Sequence, residues 1–151
     1  MESYPPLIPY LVVRDAAAAI DFYKNALGAM EIVRHHMPES TKITHAHLVI
    51  GDGSIMLSDD FPEMRGGKAS TPEALGGSPV TIHLQMNDVD RFWKRAVEHG
   101  VIVTMPLADQ FWGDRYGQFQ DPFGHKWSVG HTKISLSEDQ LKEAARVWFK
   151  I

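Results

Sequence analysis

Short apolar runs and longer stretches with helical spacing follow one another along this chain in an order that occurs twice. Leu11-Val12-Val13 ends the first run, and Asp15 opens a stretch in which Ile20, Tyr23 and Leu27 recur at helical spacing as far as Gly28. Leu84-Gln85-Met86 and Asp88 repeat the pattern, with Phe92, Ala96 and His99 at helical spacing before Gly100. An Asp at such a point caps the free amides of a helix's first turn, and a Gly suits the left-handed position just past its end. Asp88 follows Asp15 by 73 residues and Gly100 follows Gly28 by 72. The chain reads as one unit written twice.

The copies agree further on. Residues 30–36, 43–50 and 54–58 read as strands, with Gly51-Asp52-Gly53 as a tight hairpin turn. Residues 101–105, 115–120 and 125–131 match them, with Asp121-Pro122-Phe123-Gly124 as the turn. The expected fold is a single α+β domain over residues 1–151, built from two tandem βαβββ modules at about 6–60 and 80–131. The Gly-, Pro- and Ser-rich stretch 61–79 links them. A ferredoxin-like tandem begins the same way, but it needs a helix between the third and fourth strands, where this chain has only turns. Ser137 with Gln140 forms a capping box, and Leu141, Ala144, Ala145 and Trp148 make an apolar stripe, which predicts a C-terminal helix over about 137–149.

Composition narrows the function. Fifteen Lys and Arg stand against 19 Asp and Glu, for a net charge of -4, so the basic face that binds a phosphate backbone is missing and nucleic acid is not an expected partner. There is no Cys, which excludes disulfides, thiolate metal sites and a cysteine nucleophile. No apolar run approaches the roughly 20 residues that span a bilayer, and the first residues lack a signal-peptide pattern. The reading is a cytoplasmic domain with no membrane partner.

The runs Ile8-Pro9-Tyr10-Leu11-Val12-Val13-Arg14-Asp15, Ala19-Ile20-Asp21-Phe22-Tyr23 with Leu27-Gly28, and Asp121-Pro122-Phe123-Gly124-His125 carry a resemblance to the vicinal oxygen chelate superfamily, the glyoxalase and bleomycin-resistance fold. Gln110-Phe111-Trp112-Gly113-Asp114-Arg115, His45 and Met56-Leu57-Ser58-Asp59 are similar to its PhnB-like subgroup. The resemblance implies a cup-shaped, incompletely closed barrel. In active members it also implies a divalent metal on four inward side chains, and these fall here on Ile8, Met56, Thr81 and Ser128. An aliphatic group, a thioether and two hydroxyls make a poor set for such an ion. The resulting expectation is a metal-independent small-molecule-binding protein without a cofactor. The alternative is a glyoxalase- or dioxygenase-like enzyme, with a divalent metal displaced onto His45, His47 and His83, or with His83 or His47 as a general base.

Side chains two apart on a strand share a face, so Tyr10, Ser58, His83 and Gln85 are expected in the cup. Pairing across the first hairpin adds His47, opposite Ser58, and His45. Pairing across a turn at 121–124 adds Gly117, Phe119 and Arg115, with Trp112 at the mouth beside Gly113, which would let a ligand approach the backbone. Arg115 is expected to select an anionic group, or else to pair with Asp109 or Asp114. Asp59-Asp60 reads as a solvated strand end, and no Ser-His-Asp arrangement is legible. Incomplete cups with exposed strand edges predict a homodimer, in which residues 4–9 could serve as an arm to the second copy.

Overall fold

A computed structural model describes residues 4–151. Two four-stranded sheets, each with one main helix, follow the expected order. In the first module β1 (Tyr10–Val13) leads into α1 (Ala16–Leu27), and then come β2 (Met30–His36), β3 (Ile43–Ile50) and β4 (Gly53–Asp59). The second module has β5 (Thr81–Gln85), α3 (Val89–Glu98), β6 (Ile102–Asp109), β7 (Asp114–Gln120) and β8 (Lys126–Thr132). The sheet orders are β1-β4-β3-β2 and β5-β8-β7-β6, with the first strand of each parallel to the last. Neither sheet closes into a barrel. Between the modules the linker carries a 3-10 turn at Pro62–Met64 and the single-turn helix α2 (Pro72–Leu75).

Capping works as the two Asp positions predict. Asp15 Oδ1 accepts from the Ala18 amide at 3.0 Å and Asp88 Oδ1 from the Arg91 amide at 3.3 Å. Gly28 ends α1 at φ 67°, where a side chain would be strained. One face of α1 buries Ala16, Ala19, Ile20, Tyr23, Ala26 and Leu27, and α3 adds Val89 and Ala96. His99, by contrast, ends α3 exposed as its C-terminal cap. The helices cover one side of each sheet and meet each other, so the core contains Leu57 and Leu48 from the first sheet with Phe119, Trp127 and Val129 from the second. Arg95 of α3 fastens the two by donating to the Asn25 and Lys24 carbonyls at the end of α1, at 2.7 and 3.1 Å. Among the described residues no helix covers the opposite side of either sheet.

Two acidic residues have jobs that the sequence did not show. Asp59, expected in solvent, is 7% exposed. Its carboxylate accepts from the Ala16 amide at 2.8 Å and the Ile43 amide at 2.7 Å, tying the start of α1 to β3. Asp121, the first residue of the second turn, is fully buried. It accepts from Tyr23 Oη at 2.6 Å, Trp127 Nε1 at 2.9 Å, and the amides of Phe123 and His125 at 2.8 and 3.0 Å. One buried carboxylate thus gathers a donor from module one, Tyr23, and three from module two.

The C-terminal helix α4 (Glu138–Phe149) has both halves of its capping box, and none of its residues is buried. Trp148 and Phe149 meet Phe111 at ring-centroid distances of 5.6 and 5.9 Å, while Val147 and Ile151 stay exposed.

Candidate functional site

On the open side of the first sheet, Tyr10 pairs with Met56, Val12 with Ser58, His47 with Met56 and His35 with His45. Tyr10, His45, His47, Met56 and Ser58 therefore share that face. His47 lies opposite Met56 rather than Ser58, a two-residue slip that keeps the face. Tyr10 Oη and His45 Nδ1 are 2.9 Å apart, and the His35 and His45 rings lie nearly parallel at 17° and 6.1 Å. His47 is 4% exposed, its Nε2 is 2.9 Å from Ser54 Oγ, and its Nδ1 is buried with no hydrogen-bond partner among the described residues. Tyr4, in the segment expected to reach a second copy, lies with its ring 4.9 Å from His47 of its own chain.

Burial, and then the nearby imidazoles of His35 and His47, hold the pKa of His45 below its usual 6.5. In the unfolded chain this ring binds its proton more readily, so its contribution favours folding above pH 6.5 and is lost as the pH falls through the lower folded value. The melting temperature is expected to drop between about pH 7 and pH 5. In His45→Asn that drop should be smaller. A pH series of thermal melts on both proteins checks this, and identical slopes would show that His45 is not depressed.

The second sheet departs from expectation. Gln120 pairs with Lys126, Gln118 with Ser128 and Tyr116 with Gly130. A four-residue turn over 121–124 would pair Gln120 with His125. Instead the loop runs from Asp121 to His125, closed by the Asp121 amide on the His125 carbonyl at 2.9 Å. That one extra residue reverses every side chain of β7 relative to β8. Phe119 accordingly lies in the core against Trp93 and Trp127. Gly117 faces the helix as well, since a Cβ there would stand 2.7 Å from the Trp93 ring. Arg115 also leaves the open face, donating to Asp90 of α3 at 2.9 Å and Asp109 at 3.1 Å. Hydrogen bonds to those carboxylates, Asp90 first, raise its pKa further above the usual value. The ion-pair reading of Arg115 holds, with Asp90 as an unforeseen partner.

Tyr116 and Gln118 take the vacated places. Gln118 Nε2 donates to Tyr116 Oη at 2.9 Å, and the Tyr116 ring lies nearly parallel to His83 at 22° and 5.9 Å. Trp112 meets Tyr116 edge-on at 5.4 Å and donates from Nε1 to Asp114 at 3.1 Å. Gly113 serves the chain rather than a ligand. It has φ 98°, a Cβ there would fall 2.1 Å from the Ile134 carbonyl oxygen, and its own carbonyl accepts from the Lys133 and Ile134 amides at 3.0 Å. His83 Nδ1 is 2.8 Å from Ser128 Oγ, His83 Nε2 is 2.9 Å from Gln85 Oε1, and Gln85 Nε2 donates to Thr132 Oγ1 at 3.2 Å. Beside His83 and Gln85 a cleft of about 500 Å³ opens between the modules, floored by Leu27, Ile50, Leu84, Met86 and Phe92.

The four positions where the resemblance implies metal ligands do not fit a metal. Ile8 and Met56 offer no oxygen or nitrogen, Thr81 only a hydroxyl, and the Ser128 hydroxyl is engaged by His83. His45 and His47 lie on the first sheet and His83 on the second. Among the described residues no three His, Asp or Glu side chains form a metal-binding group.

Fold and open sheet faces together define a paired βαβββ protein with an uncovered face on each sheet. Residues 7–129 match the model of the Glyoxalase/Bleomycin resistance protein/Dioxygenase superfamily, and the chain belongs to that family. The Mycobacterium tuberculosis protein Rv0887c is 50% identical over 140 residues, covering 93% of this chain and 82% of its own. Protein YjdN of Escherichia coli is 30% identical over 148 residues, covering 85% of this chain and 96% of its own. Among solved structures, TioX from Micromonospora sp. ML1 superposes with a TM-score of 0.65 at 23% identity, covering 88% of this chain and all of its own.

Proposed function

We propose that this protein is a metal-independent small-molecule-binding member of the family, in its PhnB-like branch and working in the cytoplasm. The observation that carries the reading is the aromatic run from Trp112, in the loop before β7, to Tyr116 and His83 on the open sheet face, with Gln118 bonded to Tyr116 and Gln85 to His83. Aromatic faces gain from burying a planar ligand, and a few polar groups fix its orientation. Tyr10, His45, Met56 and Ser58 form the matching face of the first sheet. The register places no Lys, Arg, Asp or Glu at the middle of either face, so the favoured ligand is planar and uncharged rather than anionic. Membership of the PhnB-like branch rests on the run from Gln110 to Arg115 and on His45, and the cytoplasmic setting on the absence of Cys.

The protein acts as a homodimer in this reading. Tyr10 is 49% exposed and His83 and Gln85 are exposed, so one chain leaves both faces open, and the face of one copy laid over that of another would enclose the ligand. Light scattering is expected to give twice the 17.0 kDa chain mass. Fluorescence titration with 2-naphthol, a planar neutral probe, should show saturable binding that Trp112→Ala weakens. A monomer at all concentrations, or binding indifferent to Trp112, would remove the reading.

A further inference from the structure

We propose that Ser128 is a nucleophile activated by His83, and that the open face of the second sheet hydrolyses small acyl esters of planar alcohols. This rests on the planar-ligand reading of that face and adds a reaction to it.

The argument begins with hydrogen-bond direction. With Gln85 Oε1, which can only accept, facing His83 Nε2 at 2.9 Å, the imidazole proton sits on that nitrogen. In this orientation the Gln85 amide also donates from Nε2 to Thr132 Oγ1 at 3.2 Å. His83 Nδ1 then holds the free electron pair, and Ser128 Oγ, 2.8 Å away, donates its proton to it. Nucleophile, base and orienting group thus stand in the order that lets a neutral hydroxyl attack an acyl carbon.

The arrangement is held by strands rather than loops. His83 and Gln85 sit two apart on β5, and Ser128 is the register partner of His83 on β8. Gly130 makes room for the ring, because a Cβ there would stand 3.1 Å from His83 Cε1 and 3.3 Å from Gln85 Oε1. Tyr116 lies nearly parallel to that ring. Its hydroxyl accepts from Gln118, the register partner of Ser128, and keeps its own proton to donate to a developing oxyanion.

Ser128 Oγ bonds to the ester carbonyl carbon as its proton passes to His83 Nδ1. The bond from that carbon to the alcohol oxygen then breaks, and the departing alkoxide takes the proton from His83. Water, losing a proton to His83, attacks the acyl-serine and releases the acid, and Ser128 recovers its proton. Ser128 is only 2% exposed, so the acyl group that reaches it has to be narrow and unbranched, acetyl at most, with the planar alcohol lying along Tyr116 and Trp112.

The test incubates the whole protein with 2-naphthyl acetate, following 2-naphthol release and mapping acetylated peptides by mass spectrometry. Acetylation of Ser128 is expected, with release faster than from 2-naphthyl butyrate. Ser128→Ala should abolish the adduct, and His83→Ala should slow release on the order of 10²–10⁴-fold, the usual contribution of a general base. Ser128→Cys, which keeps a nucleophile in place, should still be acylated. Gln85 is a positioning residue, and Gln85→Glu should move the acid limb of the pH–rate profile upward by stabilising the imidazolium. Acetyl groups confined to Lys or His, or release from a folded Ser128→Ala protein as fast as from wild type, would overturn the proposal. Binding of unreactive 2-naphthol is measured on the same samples. Binding without acylation of Ser128 leaves the planar site standing and discards the nucleophile.

Discussion

Asp121→Ala is expected to cost about 4 kcal/mol of stability, because it strands the buried Tyr23 hydroxyl and Trp127 indole N–H at roughly 1–3 kcal/mol each. The Phe123 and His125 amides lose their acceptor as well. For a chain of this size that corresponds to a fall in melting temperature of roughly 10 °C or more. Tyr23→Phe removes one donor and leaves three in place, so it should cost about 1 kcal/mol. Burial, followed by the Asp121 carboxylate, keeps the Tyr23 pKa well above its usual value, so the phenol stays a donor at every working pH. The two substitutions share one network, and Tyr23→Phe should therefore cost little in the Asp121→Ala background. A four-protein denaturation series checks this. Additive losses, or an Asp121→Ala protein melting within roughly 2 °C of wild type, would mean that this carboxylate does not join the modules.

The repeat was legible because its signals are local. Asp15 and Asp88 satisfy amides three residues away, and Gly28 supplies a left-handed cap, so neither needs information from elsewhere in the chain. The open face of the first sheet was legible for a related reason. Between Ile50 and Gly53 the hairpin has an even number of residues, and a register error of two leaves His45, His47 and Ser58 on the correct side. The second hairpin is less forgiving. Whether four or five residues bridge β7 and β8 depends on Asp121 accepting from its own loop and from Tyr23 and Trp127 at once. Tyr23 is 98 positions away, and no local pattern announces it. The same long-range satisfaction hides Asp59, whose acceptor role serves residues 43 positions before it and 16 positions before it in the chain. Buried carboxylates were thus the main thing local reading could not find, and one of them sets the parity that decides the site.

That parity carries the second large effect. Tyr116→Ala is expected to weaken 2-naphthol binding by about 1.5–3 kcal/mol, roughly ten- to a hundredfold, the scale for losing a fully buried apolar contact. Tyr116 lies at the centre of the aromatic run, within 5.9 Å of His83 and 5.4 Å of Trp112. Its removal takes away the flat surface proposed for the ligand and frees Gln118 from its hydroxyl. Arg115→Ala is the opposite case, although it is the adjacent residue on the same strand. Its guanidinium is committed to Asp90 and Asp109 on the helix side, where Lys133 also holds Asp109 at 2.9 Å. The loss of those exposed pairs should produce a small, salt-sensitive change in melting temperature and leave naphthol affinity as it was. Titration of the two variants side by side separates the two registers. Were Arg115→Ala to weaken binding while Tyr116→Ala left it intact, β7 would have to present its other face, and the site would revert to Arg115 and Phe119.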